Sequence, residues 1–239
     1  MKTVYWAPWD FKDMYTEMFL AYSDPVNVFH DLSKKINKEN KMDNFLNCPA
    51  FVNVSKNTFM FTSPTNVDLT FLDDRIRNNM SEHIPFNQKT FIYKSPSLLN
   101  ARTVRLAANW IFFSEDDLFI ESMHPYMHET SVTNYGFYAP GSFNISKWFR
   151  PLEYAFQMKE GCNEFKVSQG DPLLYVKFNT DEKIELKKFN LSDKLFDMSM
   201  SCVRLKSYWR QRQLSKLYDI FIQSKMKKNI LNEIKNNLM

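Results

Sequence analysis

All four glycines of the chain, Gly136, Gly141, Gly161 and Gly170, fall inside one short window, where they interrupt strand-like text. Glycine marks backbone positions that other residues adopt only with strain, so the window predicts tight turns joining antiparallel strands. At Gly170-Asp171-Pro172 the roles separate. Gly170 can take a positive φ, Asp171 can accept from backbone amides, and Pro172 opens a strand where a missing N–H does least harm. The constraint concerns architecture, because no Gly-x-Gly is present to cradle a phosphate.

From about Phe51 the apolar period becomes two. Thr58 to Thr62, Val67 to Leu72, Thr90 to Lys94, Thr103 to Phe113 and Leu118 to Ser122 are short β-branched or aromatic runs. Trp148 to Met158, Glu164 to Val167, Leu173 to Phe178 and Lys183 to Phe189 continue the pattern. About nine strands without intervening helices predict a mainly β domain over residues 51–190, an antiparallel sandwich or barrel. Trp110 to Ile120 reads as a hairpin with Glu115 to Asp117 at its tip, and Trp110, Phe112, Phe156, Val176 and Phe178 are expected in the core.

Both ends read as helix. In residues 1–50, Asp10 can cap a first short helix carrying Phe11, Met14, Tyr15, Met18 and Tyr22 on its apolar positions. Asp24-Pro25 then reads as cap and N1 proline of a second helix, striped by Val28, Phe29, Leu32 and Ile36. In residues 191–239, Leu214, Leu217, Tyr218 and Phe221, followed by Met226, Ile230, Ile234 and Leu238, mark an amphipathic helix or helix pair. This tail is basic: residues 201–239 hold nine Lys or Arg against Asp219 and Glu233, a net +7, which leaves −3 for the first 200 residues.

A hydrophobic fraction of 44% and 22 phenylalanines suffice for one substantial core. Cys48, Cys162 and Cys202 are odd in number and far apart, which argues against a disulfide framework and for a reducing compartment. No apolar signal core opens the chain and no segment approaches the roughly 18 apolar residues of a membrane span. The expectation is a soluble, cytoplasmic protein with no membrane partner and no cofactor.

His124, His128 and Glu129 form the one cluster of metal-ligand residue types, and with Gly136 downstream it resembles the first cupin motif. Pro125 opposes the helix that the four-residue histidine spacing would need, so surface or turn histidines stand as the alternative. In the tail, Arg204, Arg210, Arg212, Lys225, Lys227 and Lys228 can neutralise phosphates, with Tyr208 and Trp209 placed to stack on bases. The same basic face can instead be a solvated surface, dock on the acidic body or meet an acidic protein. Cys48 and Cys162 have no local histidine partner, and the pairs Asp73-Asp74, Asp116-Asp117 and Asp181-Glu182 sit at turn tips, where solvation accounts for them.

The stretches Lys147 to Gly161 and Phe165 to Phe178 resemble uncharacterised proteins of T4-like phages of marine cyanobacteria. The Tyr5 to Trp9 opening, the Phe45 to Pro49 box and the Tyr218 to Met226 tail extend that similarity, and the order of Cys-Pro box and late Gly-Asp-Pro strand is similar to a bacterial family of unknown function. These resemblances imply a viral setting and a β fold. Trp148 to Phe178 is also similar to the closing strands of dUTPase and dCTP-deaminase barrels, although Lys147 to Pro151 stands where that family carries its catalytic Asp. With Tyr5, Trp6 and Trp9 expected at the surface, the leading expectation is a phage-encoded, non-enzymatic protein that binds a host or phage macromolecule. The alternatives are a nucleotide-processing or metal-dependent β-barrel enzyme, and nucleic-acid contact through the C-terminal helix; a homo-oligomer is compatible with each.

Overall fold

The computed structural model describes residues 1–9, 22–35, 45–72, 76–79, 92–94, 102–208 and 213–239. With strands numbered in chain order, sheet I runs β14 (Ile184–Lys188), β1 (Lys2–Pro8), β7 (Arg102–Ser114), β11 (Pro151–Met158) and β9 (Gly136–Tyr138), and β6 (Ile92–Lys94) also pairs with β7. Sheet II runs β10 (Gly141–Asn144), β8 (Phe119–Met123), β13 (Pro172–Phe178), β3 (Thr58–Thr62) and β2 (Val26–Asn27). Sheet III joins β12 (Glu164–Val167), β4 (Val67–Phe71) and β5 (Ile76–Asn78). The helices are α1 (Val28–Lys35), α2 (Pro49–Ser55), α3 (Val132–Tyr135), α4 (Asp193–Tyr208), α5 (Leu214–Gln223) and α6 (Met226–Asn236).

Alternation along each strand sets the layers. Val4 and Trp6 of β1, Trp110 and Phe112 of β7, and Tyr154 and Phe156 of β11 share one core with Phe61, Ile120, Val176 and Phe178 of sheet II. Phe61 meets Trp110 edge-on at 5.2 Å, Phe112 meets Phe178 at 6.0 Å, and Phe165 of sheet III meets Phe156 at 4.8 Å. The intervening residues Tyr5, Ala7, Ile111 and Phe113 face the other way and share a second core with Leu195, Leu217, Phe221, Ile230 and Ile234 of α4–α6. On the outer face of sheet II, Met60 and Tyr175 meet Val28 and Leu32 of α1.

Three expectations about architecture are corrected. Helix accounts for 32% and strand for 36%, so the mainly β expectation holds only in part, and among the described residues no sheet closes into a barrel. Parallel pairing of β1 with β14, Lys2↔Ile184 through Trp6↔Lys188, makes sheet I mixed. The expected hairpin is a corner: β7 pairs with β1, β6 and β11, β8 with β10 and β13, and Glu115–Asp117 carries the chain between sheets. β7 has strand neighbours on both edges, so β8 has no free edge of it to join.

The N-terminal aromatics are core rather than surface. Tyr5, Trp6 and Trp9 are 7%, 2% and 4% exposed, and the Trp9 Nε1–H donates to Ser199 Oγ of α4 at 2.8 Å while its ring stacks on Phe196. The α1 cap also moves: the His30 N–H donates to Asn27 Oδ1 at 3.0 Å, so Asn27 takes the role expected of Asp24. Pro49 opens helix α2 where strand-like text was expected to begin, its missing N–H being harmless in the first turn. The expected helix after Asp10 lies outside the described residues except for Tyr22, which is buried.

The expected strand core holds, with Trp110, Phe112, Phe156, Val176 and Phe178 at most 1% exposed. Gly161 and Gly170 take φ of +72° and +88°, and Asp171 Oδ2 accepts from the Ser168 N–H at 3.0 Å, as the turn chemistry requires. Gly136 serves differently: a Cβ there would lie 2.0 Å from the Gln157 carbonyl oxygen of β11. Tail residues form a helix pair, broken at Lys225 with φ of +58°, and Leu214 and Leu238 are exposed rather than in the buried stripe. Among the described residues no helix is long and apolar enough to cross a membrane.

Candidate functional site

The two histidines expected as metal ligands have separate partners. His128 Nε2 lies 2.8 Å from Asp31 Oδ2 of α1, its Nδ1 contacts the Tyr175 hydroxyl, and Lys35 Nζ reaches the same Asp31 oxygen at 2.7 Å. An ionised carboxylate only accepts, which assigns the proton to Nε2 and leaves Nδ1 to accept from the tyrosine O–H. Burial by itself raises the Asp31 carboxyl, but the bonds from Lys35 and His128 outweigh it and hold Asp31 below the usual carboxylate value. His128 therefore ties α1 to β13, with both ring nitrogens engaged.

His124 Nδ1 accepts from the Tyr138 N–H at 3.3 Å, so the remaining ring proton sits on Nε2, which is buried without a partner among the described residues. Burial lowers the His124 pKa by disfavouring the charged ring. Glu129 is exposed. These three side chains have no common focus, and among the described residues no group of three His, Cys, Asp or Glu is placed to hold a metal.

No activated nucleophile emerges among the cysteines. Cys48 is exposed, Cys162 is half-buried, and burial pushes the Cys202 thiol up to about 11. Asp117, at the tip joining the sheets, engages Lys147 Nζ at 2.6 Å, and that bond holds its carboxyl low. A carboxylate so paired is poorly suited to proton transfer near neutrality.

The basic tail does assemble a surface. The apolar side of α6, Ile230, Leu231 and Ile234, is buried against sheet I and its neighbouring helices, which fixes its polar side outward. Lys225, Lys227, Lys228 and Lys235, with Asn232, line one open depression of about 750 Å³. Glu115 lies at its edge: Lys227 Nζ donates to the Glu115 carbonyl at 2.6 Å, and Lys235 Nζ lies 3.4 Å from its carboxylate. Four ammonium groups against that one lining carboxylate give the depression a net charge of +3.

Sequence reasoning named Lys225, Lys227 and Lys228 but missed Lys235, Asn232 and Glu115. The seven-residue step from Lys228 to Lys235 was a usable signal, since two helical turns return a side chain to the same face. Glu115 joins through the fold alone. Arg204 is exposed on α4 and does not line this depression, while Arg210 and Arg212 lie outside the described residues. No known family model, curated protein or solved structure matches the chain.

Proposed function

We propose that the protein is a non-enzymatic binding protein that contacts a nucleic-acid backbone through the lysine face of α6. The observation that carries this reading is the placement of Lys225, Lys227, Lys228 and Lys235 around one depression on a helix anchored from behind. Ammonium groups on a fixed scaffold neutralise phosphates and release condensed counterions, which supplies affinity without reading sequence. Lys227 and Lys235 are held near Glu115, so two of the four cations are positioned before any ligand arrives.

A metal-dependent or nucleotide-processing enzyme is the weaker reading, because the histidine with the most developed polar network has neither ring nitrogen free. The resemblance of Lys147 to Gly161 and Phe165 to Phe178 to proteins of T4-like cyanophages is read from the sequence alone, and on that reading the proposed contact is made in the cytoplasm of an infected host. Fluorescence anisotropy of labelled single-stranded and duplex DNA at low ionic strength tests the reading. Saturable binding by the native chain and its marked weakening when Lys225, Lys227 and Lys228 become Gln is the expected result; binding unchanged in that variant, or absent throughout, overturns it.

A further inference from the structure

A second cavity, of about 440 Å³, opens where β10 and the start of β11 meet α4 and α5. Phe143, Leu152 and Leu217 give it an apolar lining, and Leu214 stands partly exposed beside it. Arg150 and Lys206 line it together with a single carboxylate, Glu153, which Arg150 approaches at 4.0 Å. Its lining charge is thus +1. Trp148 also lines it, fully buried, with its Nε1–H unpaired among the described residues.

A concave, mostly apolar site with a few polar groups is the ordinary form of a small-molecule pocket, and this volume lies within the common range of about 300 to 1,000 Å³. The excess of one positive charge selects the head group, while the apolar lining selects the body. We infer that this cavity binds a small amphipathic monoanion, an alkyl or aryl carboxylate, with its acid group toward Arg150 and Lys206 and its apolar part on Phe143, Leu152 and Leu217. The site is separate from the lysine face of α6 and stands or falls independently of it.

Isothermal titration calorimetry of the full chain with decanoate, decanol and decyltrimethylammonium tests the inference. Decanoate is expected to bind at one site, with the neutral and cationic analogues at least about tenfold weaker, since one favourable charge contact is worth roughly that factor. Lys206→Glu, at an exposed position, should weaken decanoate about tenfold or more in a chain that still melts cooperatively. Ala155→Leu, which adds volume at a lining residue, should abolish decanoate binding in a chain that still melts cooperatively. Absence of saturable decanoate binding, equal binding of all three amphiphiles, or decanoate affinity indifferent to both substitutions would overturn the assignment.

Discussion

His128 and Asp31, 97 positions apart in the chain, meet at 2.8 Å, and through that contact the loop after β8 holds helix α1 on the outer face of sheet II. Replacing His128 by Ala removes a bond to the charged Asp31 and the imidazole contact of the buried Tyr175 hydroxyl. The expected loss is about 1.5 to 3 kcal/mol of stability. Denaturant unfolding measures it, and hydrogen exchange should quicken over Val28–Lys35 before the strands respond.

Gly136 and Gly161 separate two uses of glycine. Gly136→Ala places a methyl group on the Gln157 carbonyl, 2.0 Å from it before relaxation, so β9 must leave β11 or the chain must shift. A loss above about 4 kcal/mol is expected, the range of a core clash. Gly161→Ala meets open space and bears only the left-handed backbone penalty, about 1 to 2 kcal/mol. Comparable melting temperatures for the two variants would contradict this distinction.

Phe178 touches Phe112 across the sheets and Phe59 beside it, and it has no exposed surface. Phe178→Ala should cost about 3 to 5 kcal/mol. An unchanged unfolding midpoint would remove Phe178 from the core.

His124 sets a pH dependence whose sign follows from burial. Its folded pKa is lowered from the ordinary 6.5, so on acidification the unfolded chain takes up this proton first. The contribution is therefore complete above pH 6.5 and declines as the pH falls from there toward the folded value. Asn in place of His124 keeps an acceptor for the Tyr138 N–H and should flatten the stability profile over that window. Direct NMR titration of His124 should report a pKa below 6.5.

Strand text was legible because alternation is local: Glu164–Val167 is both the expected run and the observed β12. Sheet membership was not, since it depends on partners far away. Asn57 shows why. Its amide donates at 2.8 Å to the carbonyls of both Thr180 and Glu182, and its Oδ1 accepts from the Ile184 N–H, which fixes the turn into β14. Asn109 likewise serves the bulge between β7 and β11, its Oδ1 accepting from the Tyr154 N–H at 3.3 Å. Neither asparagine differs in sequence from one on a surface loop. The burial of Tyr5 and Trp6 had the same origin, because it follows from β1 lying between β7 and β14. At the candidate site the lysine spacing was visible, whereas the approach of Glu115 was created by the corner between sheets.

The salt dependence of duplex DNA binding tests the central claim most directly. If the four lysines of the α6 depression each neutralise a phosphate, log K should fall against log salt with a slope of about −3 to −4. In the variant carrying Gln at Lys225, Lys227 and Lys228, the slope should shrink to about −1 with melting temperature unchanged. A native slope near zero, or an equal slope in the variant, would contradict the assignment of α6 as the nucleic-acid contact.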